Sequence, residues 1–153
     1  MNPTTEAAPH YRARTEPGRW DGVAVMPYKE DGGTHFKSIS RQLLYPGGHD
    51  LNLELRYFEI AEGGHSTLER HDHAHLVVVI QGCGQVMVKD QVYDLKMHDV
   101  VHVPPQTWHQ FQANQGEGLG FLCLVNPERD RPYRPNEDEV GAIREATGEF
   151  VKV

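Results

Sequence analysis

The chain has only two cysteines, Cys83 and Cys123, and no apolar run longer than five residues. Two thiols cannot build a disulfide scaffold, and five residues fall far short of the roughly 20 that cross a bilayer as a helix. Basic residues are in the minority: 15 Lys and Arg against 22 Asp and Glu leave a net charge of −7. Nucleic-acid and membrane partners usually require a basic face, so this balance argues against both. The first 20 residues, MNPTTEAAPHYRARTEPGRW, lack the apolar core of a secretory signal. A reducing, cytoplasmic compartment is therefore expected.

Helix signals are scarce as well. The one clear case covers residues 136–146. Asn136 can cap it, Glu137, Asp138 and Glu139 load its first turn, Asn136-x-x-Glu139 has capping-box spacing, and Val140 and Ile143 form an apolar stripe. Elsewhere, short apolar segments alternate with turn residues. Strands are predicted near 39–45, 51–60, 71–80, 85–88, 91–95, 100–103, 108–112 and 119–125, with turns at Glu62-Gly-Gly64, Gly82-Cys-Gly84 and Pro104-Pro105. Such spacing predicts an all-β sandwich or barrel. Residues 1–19 read as a mobile tail and residues 20–153 as a single domain.

Histidine is abundant: there are ten, four of them between residues 65 and 75. Glu69, His71, His73 and His75 recur at period two, and the apolar segment 76–80 follows at once. In an extended chain, alternate side chains share a face, so these donors would line one strand edge. Imidazole and carboxylate together suit one divalent transition metal: iron, manganese, nickel, cobalt or zinc. Three nitrogens and one oxygen would leave a coordination position open for chemistry. No cysteine lies within this cluster, which argues against a thiolate zinc or iron–sulfur site.

Two segments resemble the motifs of the cupin superfamily. Gly63, five residues, Glu69, one residue, His71, three residues, His75, six residues, Gly82 has the spacing of its first motif. Glu69 stands where a histidine is usual and His75 where a glutamate is usual. His98, five residues, Pro104, Pro105, Gln106, two residues, His109 has the spacing of its second motif, with His98 and Gln106 replacing glycines and Asn114 one place late. The resemblance implies a double-stranded β-helix (jelly-roll) barrel, with core motifs over residues 57–125, extra N-terminal strands and a short C-terminal helix. It implies a metal held by Glu69, His71, His75 and His109. Taking His71-Asp72-His73 as the histidine pair would bring His73 into the set. That register puts Val77 or Val78 at the acid position and leaves only eight residues before Gly82.

The wall of such a barrel would draw on His73, Tyr57, Met87, Phe111, Phe121 and Cys123. Phe111 shares strand parity with His109, whereas Trp108 faces the other layer. His65, His98 and His102 read as loop or surface residues, and Cys83 as a turn residue. The resemblance implies a metal-dependent enzyme acting on a small polar molecule, with a dioxygenase the leading expectation. A lyase, an isomerase or a non-catalytic sensor of a small ligand are the alternatives. It also implies a homodimer, in which strands before residue 50 would pair with the partner.

Overall fold

The computed structural model describes residues 8–153. A long central strand, β5 (Glu54–His65), organises the molecule. Its first half pairs on one side with β4 (Lys37–Tyr45) and on the other with β11 (Leu119–Val125), all antiparallel. The sequence predicts a turn at Glu62-Gly-Gly64, but the strand runs through it. Gly63 adopts a φ of +70°, where only glycine is unstrained, and the register against β4 shifts at this point. Beyond the shift, His65 pairs with Gln112 of β10 (His109–Ala113), so β5 turns a corner from one face of the barrel to the next.

The remaining strands are β6 (His75–Gly82), β7 (Gly84–Val88), β8 (Gln91–Leu95) and β9 (Val100–Val103). The sheet order is β8-β7-β10-β5-β11-β6-β9, with β4 also on β5 and β3 (Met26–Pro27) on β4. This curled, antiparallel, all-β sheet with one helix is the jelly-roll arrangement expected from the sequence. The proposed tail lies partly outside the described residues. Its last part forms a hairpin of β1 (Arg14–Glu16) and β2 (Arg19–Trp20). Gln42 and Arg19 fasten that hairpin through the Gly18 carbonyl, and Arg19 also reaches Glu59.

Strand alternation divides the apolar residues between two cores. Phe58, Val77, Val79, Val86, Phe111, Phe121 and Cys123 fill the barrel interior. Leu68 and Met87 point outward and pack with Ile143 and Val151 of the C-terminal segment. The helix α1 (Glu137–Thr147) has the capping box that the sequence predicts: Asn136 accepts from the Glu139 N–H, and Glu139 accepts from the Asn136 N–H. After it, the chain returns along β10. Gln110 donates to the Lys152 carbonyl at 2.7 Å and accepts from its N–H at 2.9 Å, while Gln112 donates to the Phe150 carbonyl.

Two glycine positions of the second motif are conformationally intact without glycine: His98 has a φ of +75° and Gln106 a φ of +54°. A side chain at such angles is strained by roughly 0.5–1 kcal/mol relative to glycine. We expect His98→Gly to raise stability by about that amount, read as a higher urea midpoint at constant m-value. A lower midpoint would show that the His98 side chain contributes contacts outweighing the strain.

Candidate metal centre

His71, His75 and His109 bring their ring nitrogens together, with the three donor atoms all within 4.8 Å of one another. His75 opens β6 and His109 opens β10, whereas His71 lies in the segment before β6. The predicted strand starting at residue 71 therefore begins four residues late, and period two does not set the cluster's geometry. The reason is local hydrogen bonding. The Asp130 carboxylate accepts from the N–H groups of Asp72 and His73 and from His73 Nδ1, and His71 accepts from the Gln106 N–H. These bonds hold residues 71–74 in a bend, with the His71 and His73 rings stacked 3.7 Å apart and parallel to within 2°.

The hydrogen bonds also orient the rings. His71 Nδ1 lies 2.6 Å from the His73 carbonyl oxygen, and His109 Nδ1 lies 2.9 Å from that of Thr107. A carbonyl only accepts, so each Nδ1 carries the hydrogen and each Nε2 presents a lone pair. His75 Nε2 lies 2.9 Å from His71 Nε2, so a proton or a cation must stand between these two nitrogens. On its other side, His75 Nδ1 lies 2.9 Å from the Cys123 sulfur. Burial, with His109 as neighbour, pushes His75 far below its ordinary range, and burial lowers His109 to about 4. Imidazoles held neutral, with tautomers set by backbone carbonyls, are what a divalent metal requires of its donors. The residues present fit such an ion.

Glu69, expected as the carboxylate ligand, is not among the converging donors. Its backbone pairs with His109 in both directions, but its side chain lies 3.1 Å from Lys29 Nζ. Lys29 comes from the segment between β3 and β4, whose position the strand pattern alone did not reveal. His73, on the alternative register, turns its Nδ1 to Asp130 at 2.8 Å and stacks on His71.

His75 and His109 of this cluster border a cavity of about 190 Å³. Of the expected wall residues, His73, Phe111, Phe121 and Cys123 line it, as do Arg56, Arg129, Asp130 and Tyr28. Tyr57 and Met87 lie elsewhere, and strand parity explains both. Arg56 and Phe58 face inward on β5, which turns Tyr57 to the opposite side, against Trp20 and Glu59. Val86 faces inward on β7, which sends Met87 to the helix side. The same alternation was the available signal for Arg56. Cys83 and Cys123 are both free; Cys83 is held by Glu117 and Asn114 at the rim, far from this chemistry. Among the described residues, no helix is long and apolar enough to cross a membrane.

The comparisons with known proteins agree with this geometry. The family model described as "Cupin domain" matches residues 56–125. The chain is 49% identical over 126 residues to a Rhodospirillum rubrum protein named 1-methylthio-D-xylulose 5-phosphate methylsulfurylase, a match covering 82% of this chain and 80% of that one. It belongs to the cupin superfamily. A cupin 2 conserved barrel domain protein from Rhodopseudomonas palustris superposes on this cupin with a TM-score of 0.86 at 50% identity, covering 94% of this chain and 99% of that one. A second solved cupin-2 domain, from Rhodospirillum rubrum, gives a TM-score of 0.78 at 45% identity, covering 88% and 89%.

The depressed His109 carries a pH prediction. Its folded pKa lies below the unfolded value of about 6.5, so the unfolded chain binds more protons below that value. The stability from keeping His109 neutral is complete above about pH 6.5 and is lost as the pH falls towards 4. The loss is on the order of 3 kcal/mol, and His75 shifts in the same direction. Urea midpoints of EDTA-treated cupin should fall steeply across this window. A flat profile there would contradict the burial argument.

Proposed function

We propose that this cupin is a metal-dependent enzyme that removes the methylthio group from a phosphorylated methylthio-ketose. The observation that carries the reading is a free thiol, Cys123, 2.9 Å from His75 Nδ1 and in the cavity that His75 and His109 of the cluster also line. The relative at 49% identity, named as a methylsulfurylase, supports the same chemistry. His71, His75 and His109 would hold the metal, and a divalent ion there would polarise the ketone oxygen as a Lewis acid.

The chain's own residues supply the rest. Phe58, Phe111 and Phe121 make an apolar wall suited to a methylthio group. The Cys123 sulfur attacks the substrate sulfur, a new S–S bond forms, and the C–S bond to the carbon beside the ketone breaks. The bonding pair stays on the ketose as an enolate, and a proton equivalent to the one lost by the thiol completes the methyl group. Cysteine sulfur is oxidised to the mixed disulfide and the carbon is reduced, so no further oxidant enters. A second thiol then releases methylthio as a small mixed disulfide and restores Cys123. The Lys29–Glu69 pair, on the same cavity wall, provides ionisable groups for the proton.

A dioxygenase, the leading expectation from sequence, gains no support from the cavity residues beyond the metal donors it shares with other cupin enzymes. The test is incubation of metal-loaded wild type and Cys123→Ser with 1-methylthio-D-xylulose 5-phosphate and a small thiol. NMR should show the deoxy-ketose phosphate with wild type only. Without added thiol, the wild-type protein should gain the mass of one methylthio group on Cys123. No product with wild type would return the protein to the class of ligand-binding cupins.

A further inference from the structure

The cations around the cavity are matched to anions, with one exception. Lys29 Nζ lies 3.1 Å from Glu69, and Arg129 Nη1 lies 2.9 Å from Glu54. Arg56 forms no ion pair among the described residues. Its guanidinium lies 4.9 Å over the Phe58 ring, its Nη2 is 4.0 Å from the Cys123 sulfur, and its Nε is shut off from solvent without a hydrogen-bond partner. Glu54 acts on this guanidinium only through space and is itself paired with Arg129.

Such an arrangement is costly. A guanidinium carries five N–H donors and stays charged, and Arg56 is half-buried with its Nε shut off from water, so leaving it without an anion costs stability. Arg129 lines the same cavity, its charge partly offset by Glu54. A planar fork of donors is matched by a tetrahedral or planar oxyanion, which it can bind through two parallel hydrogen bonds. Arg56 also borders the cavity that holds His75 and Cys123, so an anion on it would place the attached carbon chain beside the proposed reacting groups.

The geometry points to Arg56, seconded by Arg129, as the anchor for an anionic group of the cavity's ligand. The identification of that group as a phosphate monoester rests on the functional reading above; the existence of an oxyanion site does not. Removing the fork removes at least one charge-assisted hydrogen bond, and a buried one is worth about tenfold or more in affinity.

The test is calorimetric titration of inorganic phosphate into the full-length, EDTA-treated chain, so that phosphate on a metal cannot mimic the site. Wild type should bind, and Arg56→Met should bind about tenfold more weakly or worse. Arg56→Gln, which keeps length and polarity, decides the matter if Arg56→Met fails to fold. Phosphate affinity unchanged in the folded variant, or absent in wild type, overturns the proposal. So does a variant that alters only the rate of iodoacetamide alkylation at Cys123, which would make Arg56 a partner of the thiol instead. With the metal-loaded enzyme, Arg56→Gln should raise KM for the phosphorylated ketose by a larger factor than KM for its unphosphorylated analogue, and equal factors would assign Arg56 to the thiol instead of the anion. If wild type does not turn over but phosphate binding depends on Arg56, the functional reading fails and the anchor stands. If wild type turns over and Arg56→Gln binds phosphate normally, the anchor fails and the functional reading stands.

Discussion

His71→Ala will reduce bound metal from one equivalent to background, whereas Glu69→Gln will keep it. Elemental analysis after dialysis against a divalent metal distinguishes the two. His71 Nε2 lies 2.9 Å from His75 Nε2, at the meeting point of the three donors, and no neighbouring histidine can replace it. His73 is the obvious substitute by sequence, but its Nδ1 is committed to Asp130 and its ring is stacked flat on His71. Glu69 is held by Lys29 instead of reaching the three nitrogens. Its loss should weaken affinity by no more than about 10–100-fold, the range for groups that support ligands without coordinating. Complete metal loss in Glu69→Gln would mean that the carboxylate leaves Lys29 for the ion, which restores the four-ligand set expected from the motif. Retention in His71→Ala with loss in His73→Ala would establish the other register.

Gly82→Ala should be the most damaging single substitution of a non-polar residue. Gly82 ends β6 with a φ of +69°, and a Cβ there would land on the Gly118 carbonyl oxygen, well inside van der Waals contact. Backbone does not yield as a flexible side chain does, so both strain and clash apply, at a cost of about 3–5 kcal/mol. Against the 5–15 kcal/mol of an ordinary domain, that is a large share. Gly116→Ala is the control. Gly116 also has a positive φ, of +81°, but a Cβ there meets nothing within 4 Å, so it should cost only about 1 kcal/mol. Chemical unfolding of the two variants measures the difference; equal midpoints would refute the clash argument.

Much of this architecture was legible in the chain because alternation and turn residues act locally. The β7–β8 hairpin around Lys89-Asp90, the stop of β9 at Pro104 and the capping box at Asn136 all lie where their residues place them. The three histidines of the cluster were also named from spacing. What could not be read were contacts between segments distant in sequence. Lys29 reaches Glu69 across 40 residues, and Asp130 reaches His73 across 57. Both contacts engage a side chain that the sequence offers as a metal donor, Glu69 in the preferred register and His73 in the alternative. Residues 71–74 depart from an extended course for the same reason: three hydrogen bonds donated to the Asp130 carboxylate outweigh the preference of an isolated segment. Continuing β5 through Gly63 was equally hidden, since a glycine pair reads as a stop unless a second strand awaits it.

The return of the chain's final residues along β10 has a practical meaning. Gln110, fully buried, spends its amide on Ser66 and on both backbone groups of Lys152, and its neighbour along the same strand is His109. Residues 150–152 thus work as a latch on the strand that bears a candidate ligand. Deleting residues 150–153 becomes an assay for the distant centre: the variant should bind the metal more weakly, and unchanged affinity would refute the latch.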